Sequence, residues 1–551
     1  MDEVRLTSDA IEVRFGAPGF GDKLERIRRV TGRRFYKRPD NHWRLPVSPW
    51  HAAELIRLFP EWEVPEGVHE LAGQAEALRK ASRRTASLGK HDRRLFGYQK
   101  ACLDFLDLAN GRAIIADDFG LGKTVEVLSW ANEQSDIHRI LVVCPANVTY
   151  QWLRACSVWI PRLQASIIED TKSAIFDTPI HITSYNIMTT RKAELGPGRY
   201  DLFIPDEAHA LKNWRPVVDG GRGSRRALAA RYIAAGVRYL IPMSGSPFLN
   251  RPIELFPLLN LLDPVAWADR GAFGFAYCGG LNGISDTGLK GTFKGATRKP
   301  ELAARLRTIM IRRTKDEVRE QLPPLTRTII PVRVDLKHYR QVYSAVKSAL
   351  KKLNPKHKGY FYGALDQINA LRLAIGLAKV PGAVDWATNF LEQSDESRKL
   401  VVYAHHKQVA EQISLALTRF GCVMITGDVS PKKRDILRQS FQAPGGPRAL
   451  VMTAAGGEGV DLFGLNGAEI STILFVEREW VPASEEQAES RLHRRGQKHA
   501  SSAYYLAAQG TVDTHLADFI DSKRADIKDL IGLPPIRTTI AAEMVHLIVN
   551  S

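Results

Sequence analysis

The run Gly120-Leu121-Gly122-Lys123-Thr124 lies between an apolar stretch at 113–116 and a helix-forming stretch at 125–131. Strand, glycine loop and helix in that order form an anion cradle, because glycine lets the backbone approach a ligand closely and N–H groups at the helix start point at negative charge. Lys123 is then suited to neutralise the β- and γ-phosphates of ATP, and Thr124 to hold Mg²⁺. The usual pattern begins with glycine six residues before the lysine, where this chain has Asp117. A merely structural helix cap is the plainer alternative, and the flanking strand and helix weigh against it.

A second constellation is DLFIPDEAH, residues 201–209. An apolar strand delivers Asp206 and Glu207 to its carboxyl end, where ligands sit in open α/β sheets. Asp206 is suited to bind Mg²⁺ through water, and Glu207 to orient and deprotonate an attacking water. Pro205 has no N–H and must occupy a place where the sheet needs none. Alone, the pair is an ordinary acidic turn; with the phosphate loop it points to nucleotide hydrolysis.

The elements that must position these residues follow from the apolar rhythm. Residues 95–260 alternate short apolar runs (AIIA, ILVVC, IHIT, DLFI, YLIPM) with helical stretches, and 386–515 repeat the rhythm with KLVVYA, CVMIT, ALVMT and STILFV. The expected fold class is α/β, with two lobes of parallel sheet and flanking helices, which the family resemblance given below implies are RecA-like. A helix-rich basic insert spans 261–385, a small α+β unit 1–65, a polar helical linker 66–94, and a helical tail 516–551.

With 551 residues, 44% hydrophobic and 25% charged, the composition is that of a soluble multidomain protein. No apolar run is long enough to span a bilayer. The start has no basic region followed by an apolar one, so a cytoplasmic location is expected: nucleoid-associated or in a phage-infected cell for a bacterial protein, nuclear for a eukaryotic one. The five cysteines form no CxxC pair and read as buried apolar residues of a reducing compartment. The net charge of +17 calls for a polyanionic partner, nucleic acid first.

The motif order resembles that of the SWI/SNF-type ATPases of superfamily 2 across about residues 95–530. LFGYQ puts Gln99 in the adenine-recognising place, and DDFGLGKT, with Asp117 and Asp118, stands where that family commonly has Asp-Glu-x-Gly-x-Gly-Lys-Thr. VVCPANVTYQW and ITSYN match motifs that face the nucleic-acid strand, and MSGSPFLN replaces the usual Thr-Gly-Thr-Pro, so the resemblance gives Ser244 and Ser246 a role in coupling hydrolysis to lobe movement. EEQAESRLHRRGQ matches the sixth motif and makes Arg491 and Arg494 the candidate arginine fingers. Three residues apart, they are expected on one helix face. In VMTAAGGEGVDL, which resembles the fifth motif, Glu458 and Asp461 depart from the family pattern. The stretch FAYCGG…GATRKPELAARLRTIMIRRTKDEVREQLPP is similar to the HepA-related annealing-helicase branch, and residues 11–60 resemble its HARP module.

Nucleic-acid contact is expected from the early cluster Arg26, Arg28, Arg29, Arg33, Arg34, Lys37 and Arg38, interleaved with Phe35 and Tyr36. Trp43 reads as core, because HWRLP alternates like a half-buried strand. IRRTK and KSALKKLNPKHK in the insert are further candidates to guide a duplex backbone. No base readout is evident, so sequence-independent, salt-sensitive binding is expected. The resulting function is a DNA-dependent ATPase that translocates on double-stranded or branched DNA, with fork remodelling or strand annealing. A strand-separating DNA or RNA helicase, a motor subunit of a nuclease or defence complex, and a binding scaffold with a decayed ATPase remain the alternatives.

Overall fold

Strict alternation of apolar and polar side chains builds the first sheet. Strands β1 (Glu3–Leu6), β2 (Ile11–Arg14), β3 (Tyr36–Lys37) and β4 (His42–Leu45) pair antiparallel in the order β1-β2-β4-β3. Ile11 and Val13 of β2 and Trp43 and Leu45 of β4 share one core, so Trp43 is buried as its pattern predicts. Helices α1 (Phe20–Thr31), α2 (Pro49–Leu58) and α3 (Glu66–Ala81) follow from the same region. α2 starts where Ser48 Oγ accepts from the His51 N–H at 3.3 Å, with Pro49 in the first turn, where its missing N–H costs nothing. Val68 of α3 joins the core of this sheet, so the front of the linker stretch packs with the N-terminal unit.

The computed structural model describes residues 2–16, 20–31, 36–37, 42–87, 89–212, 224–245, 252–279, 293, 295–352, 360–457, 462, 464, 467–479, 482–494, 496–514, 545 and 548. The chain divides into two units. The first takes Met1–Asp118, Lys123–Cys144 and Leu153–Val318, and the second Phe119–Gly122, Pro145–Trp152 and Arg319–Ser551.

The first unit holds a parallel sheet of β5 (Ile114–Ile115), β6 (Ile140–Cys144), β7 (Ala165–Ile168), β8 (Ile180–Ser184), β9 (Leu202–Pro205), β10 (Tyr239–Leu240) and β11 (Met310–Ile311). Five strands run in the order β10-β9-β6-β8-β7, and β11 pairs with β5. Hydrogen bonds from Ile115 N to Pro242 O (3.0 Å) and from Ser244 N to Ile115 O (3.1 Å) lay β5 beside the segment after β10. β6 and β8 are buried along their whole length, as strands covered by helices on both faces must be. α4 (Gly97–Leu108) and α5 (Lys123–Glu133) carry the first motifs.

In the second unit, β12 (Leu325–Val332), β13 (Arg398–Ala404), β14 (Cys422–Ile425), β15 (Ala449–Thr453), β16 (Glu469–Phe475) and β17 (Ser501–Ala508) form a parallel sheet ordered β12-β17-β16-β13-β15-β14. Each unit thus has the parallel sheet with flanking helices that the apolar rhythm predicts. The stretch 261–385 differs from a separate helical insert. β11 joins the first sheet, β12 joins the second, and the helix Tyr360–Gln393 runs through position 385. The end of that helix packs Ala383, Ala387 and Leu391 under β13, while Ile368 and Leu371 pack against the helix Leu336–Lys352. All five cysteines are free; four are buried and Cys422 is half-buried. No helix among the described residues is long and apolar enough to cross a membrane.

One contact fixes the segment that leads into α4. His91 Nδ1 lies 2.9 Å from Glu133 Oε2 and Nε2 lies 2.9 Å from Asp104 Oδ1, with the side chain 6% exposed. A neutral imidazole has a single N–H, so only the charged ring donates to both carboxylates. Burial opposes that charge, and the hydrogen bonds the ring donates to Asp104 and Glu133 outweigh it, holding the ring above its ordinary value of 6.5. The raised value means that the stabilisation is fully present below pH 6.5 and is lost as pH rises through the folded-state value. His91→Gln should therefore cost about 1–2 kcal/mol at pH 6, and its melting curve should approach the wild-type curve as pH rises through the raised folded-state value. A melting difference that does not shrink with rising pH would overturn the charged staple.

Candidate nucleotide site

The phosphate loop begins where β5 ends. Gly120 and Gly122 adopt φ of +85° and +91°, a region that a β-carbon disfavours, so two side-chain-free residues are required here. Lys123 opens α5 and its Nζ donates to the Asp117 carbonyl at 2.8 Å and more weakly to that of Asp118 at 3.4 Å. Thr124, in the first turn of α5, is half-buried. Asp117, in the place usually held by glycine, is fully buried and accepts from the Arg313 backbone and guanidinium. Asp118 Oδ2 accepts from Lys315 N at 3.1 Å; burial pushes its carboxyl upward against the pull of Arg312, Lys315 and Lys123. Gln99 is buried, and its Oε1 accepts from Phe96 N at 3.1 Å, capping the start of α4.

The acidic pair stands at the end of β9, two strands from β5 by way of β10. Pro205 closes β9 in the register of Val143; its carbonyl accepts from Met243 N at 2.8 Å, while the neighbouring Asp206 N–H donates to Val143 O at 2.7 Å. The proline therefore sits where only its acceptor is used. Asp206 Oδ1 accepts from the Glu207 N–H at 2.9 Å, and Glu207 adopts a left-handed backbone with φ of 48°, a sparsely populated conformation for a side-chain-bearing residue. Tyr185 Oη donates to the Asp206 carbonyl at 2.7 Å. Burial pushes the Tyr185 hydroxyl well above its ordinary value, so it stays a donor.

His209, the last residue of the DEAH run, makes the connection that strand order prepares. Its Nδ1 lies 3.2 Å from Glu207 Oε2 and 3.2 Å from Ser244 Oγ. Ser244 is fully buried, and its own N–H donates to Ile115 O at the end of β5. Glu207 and Ser244 thus both stand 3.2 Å from one imidazole nitrogen, and Ser244 is bonded to the strand that carries the phosphate loop. The other coupling candidate, Ser246, lies outside the described residues.

In the second unit the sixth-motif arginines follow the helix Pro482–Glu489 rather than lying within it. His493 N still donates to Glu489 O, but Arg491 N reaches Ala488 O and Leu492 N reaches Glu489 O. The helical ladder has tightened to i→i+3 bonding, so the expectation of one regular helix face is replaced by a turn. Two buried carboxylates anchor this motif. Glu485 accepts from Arg478 Nε at 2.7 Å and from the Glu479 N–H at 2.9 Å. Glu489 accepts two bonds of 2.7 Å from Arg327 and another from Tyr505 Oη. Arg491 and Arg494 themselves are half-buried.

Tyr185, His209, Glu126 and Arg313 carry structural weight that residue-type reasoning did not assign. Tyr185 and His209 lie inside motifs quoted from the sequence. Arg313 belongs to IRRTK, which reads as a surface for a duplex backbone, yet it is 1% exposed. Its burial corrects that reading at Arg313, while Arg312 and Lys315 stay partly exposed. Of the N-terminal cations, Arg33 and Arg34 lie outside the described residues, and the side chains of Arg28, Arg29 and Lys37 are likewise outside them, as are Glu458 and Asp461.

Comparison with known proteins places the chain in a family. The SNF2-related domain matches residues 98–376, just over half of the chain, and the helicase conserved C-terminal domain matches residues 382–496. A Caenorhabditis elegans homolog of SWI/SNF-related matrix-associated actin-dependent regulator of chromatin subfamily A-like protein 1 is 29% identical over 83% of this chain and 64% of its own length. The human DNA annealing helicase and endonuclease ZRANB3 is 27% identical over 78% of this chain and 40% of its own. A solved Sulfolobus solfataricus SWI2/SNF2 ATPase core in complex with dsDNA aligns over 85% of this chain and 98% of its own, with 20% identity and a TM-score of 0.37. The chain spans less than two thirds of the length of these two curated relatives. On the match of the SNF2-related domain to more than half of its residues, this chain belongs to the SNF2-related family, followed in sequence by a helicase C-terminal domain.

Proposed function

We propose that this protein is an ATP-hydrolysing motor that translocates on double-stranded or branched DNA and drives fork remodelling or strand annealing. The observation that carries the reading is the polar chain from Glu207 through His209 to Ser244, anchored by the Ser244 N–H to the strand that ends in the phosphate loop. Such a chain joins the group next to the attacking water to the segment that must sense hydrolysis. Relatives named as annealing helicases support the choice of DNA and of reannealing as the output.

In this reading Lys123 leaves the Asp117 carbonyl to neutralise the β- and γ-phosphates, and the N–H groups after Gly120 and Gly122 cradle them. Gln99 and Asp118 complete the nucleotide contacts. The Asp206 carboxylate and Thr124 hydroxyl are hard oxygen donors of the kind Mg²⁺ takes, and Mg²⁺ held there would offset phosphate charge. Glu207 takes the proton of the attacking water. Arg491 and Arg494 are the cations assigned to the charge that develops on the transferred phosphoryl group, and Ser244 and Ser246 report its departure. Arg28, Arg29, Arg33, Arg34 and Lys37 of the N-terminal unit are assigned to the DNA backbone, where they confer affinity without sequence preference.

Wild-type phosphate release should be stimulated by duplex or forked DNA more than by single strands or RNA. Its half-maximal DNA concentration should rise steeply between about 50 and 200 mM salt. Glu207→Gln should bind ATP yet lose about 10²–10⁴-fold in turnover, and Lys123→Ala should lose ATP binding itself. DNA-stimulated phosphate release that persists in either variant would sink the site assignment. His209→Ala and Ser244→Ala should retain DNA-stimulated hydrolysis but lose displacement of a triplex-forming strand; loss of both activities in parallel would remove the coupling role.

A further inference from the structure

At the base of the phosphate loop, a single guanidinium is shared by two carboxylates and a carbonyl. Arg313 Nε donates to Asp117 Oδ2 at 2.9 Å and its N–H to Asp117 Oδ1 at 2.9 Å. Nη2 donates to Asp117 Oδ2 and, at 2.9 Å, to Glu126 Oε1 of α5, while Nη1 donates to the Tyr98 carbonyl of α4. All three charged side chains are at most 1% exposed. The backbone reinforces the side chain: Ala116 N donates to Ile311 O at 2.8 Å, and Asp118 N to Arg313 O at 3.0 Å.

These partners are not a random sample of the lobe. Tyr98 precedes the Gln99 assigned to the base, Asp117 supplies the carbonyl on which Lys123 rests, and Glu126 lies one turn into the helix that Lys123 opens. Arg313 itself belongs to the last segment of the first unit, which ends at Val318 before the chain enters the second at Arg319. We propose that Arg313 is a positioning residue that fixes the phosphate loop and passes its nucleotide state to the connecting segment 309–318. This inference rests on the nucleotide site proposed above and extends it to a residue far along the chain.

The charge count supports a further detail. Two carboxylates facing one guanidinium leave a surplus negative charge in a dry site. Burial, and then the charge of Asp117, push the Glu126 carboxyl well above its ordinary range. Its Oε2 is buried with no hydrogen-bond partner among the described residues. This direction favours the protonated acid, which can still accept from Arg313 while Asp117 carries the counter-charge.

Two measurements on the full chain test this. Arg313→Lys keeps the charge but loses the planar fork; it should raise KM for ATP about tenfold, weaken binding of a fluorescent ADP analogue by a similar factor, and do so at temperatures where circular dichroism shows it folded. Asp117→Asn should behave likewise, whereas Glu126→Gln, an isostere of the neutral acid, should stay within about twofold of wild type. Folded Arg313→Lys with unchanged KM and ADP affinity overturns the positioning role. The second measurement needs no variant: hydrogen exchange of the wild-type protein with and without MgADP. Slower exchange in both 113–126 and 309–318 supports the inference. Protection of 113–126 alone overturns it while leaving the nucleotide site standing, and protection of neither segment overturns the nucleotide site and this inference together.

Discussion

A positive charge sealed under the phosphate loop sets the terms for the first unit. Removing one partner from a buried ion pair strands the other, at a cost of about 3–5 kcal/mol, so the segments that carry Asp117, Glu126 and Arg313 have to arrive together. They are far apart in sequence, Arg313 coming 196 positions after Asp117. The chain meets this demand by adding β11 to the sheet as a parallel neighbour of β5, which puts residue 313 level with the start of the loop. Arginine suits the task where lysine does not. Its planar fork satisfies a carboxylate in two bonds and still has donors for Glu126 and the Tyr98 carbonyl. The departure from glycine at position 117 is then a requirement of this network.

The same parallel geometry accounts for the hydrolytic side of the site. Strands of one direction present their carboxyl ends at one edge, so β5, β9 and the segment after β10 deliver Lys123, Glu207 and Ser244 from three separate stretches. Backbone hydrogen bonding sets the spacing, and side chains finish it. Tyr185 pins the Asp206 carbonyl, the Asp206 carboxylate takes the Glu207 N–H, and the left-handed turn at Glu207 re-aims its side chain relative to the strand. His209 can join Glu207 to Ser244 because the Met243 N–H and carbonyl are both engaged with the β9 side of the sheet, to Pro205 and Ala208. A one-residue shift in that register would move Ser244 away from the imidazole.

The sequence made the motifs legible because each compresses a strand, a turn and a helix start into a few residues of distinctive type. The fully buried strands β6, β8 and β15 were readable through their apolar runs. Four strands of the two parallel sheets were not, among them the two-residue β11. β7 is short and half-buried, and β12 is an edge strand with mostly exposed side chains, so neither shows a strong apolar signal. β17, SSAYYLAA, mixes small and aromatic residues that fit a helix equally well by period. Missing β11 and β12 is what made 261–385 read as a separate insert. The arginine turn after Glu489 was hidden differently: residues three apart look helical in sequence, and only the bonding of Glu489 to Arg327 and Tyr505 shows where the helix is brought to an end. Long-range partners of this kind leave no mark in local spacing.

Counting basic residues along the chain therefore says less about a DNA-binding surface than the net charge does. The net charge of +17 is a property of the whole protein and survives any internal pairing, because a buried pair removes one charge of each sign. A basic triplet has no such protection. In IMIRR, Ile311 and Arg313 are both buried, whereas the side chain of Arg312 between them is 30% exposed. That alternation is the period of a strand, and it divides two adjacent arginines between the interior and the surface. Arg478 follows the same logic, its charge spent on Glu485 beneath the sixth motif. Long-range attraction to a polyanion follows from the surplus cations that remain outside, and their placement is fixed by which face of each element the core has already claimed.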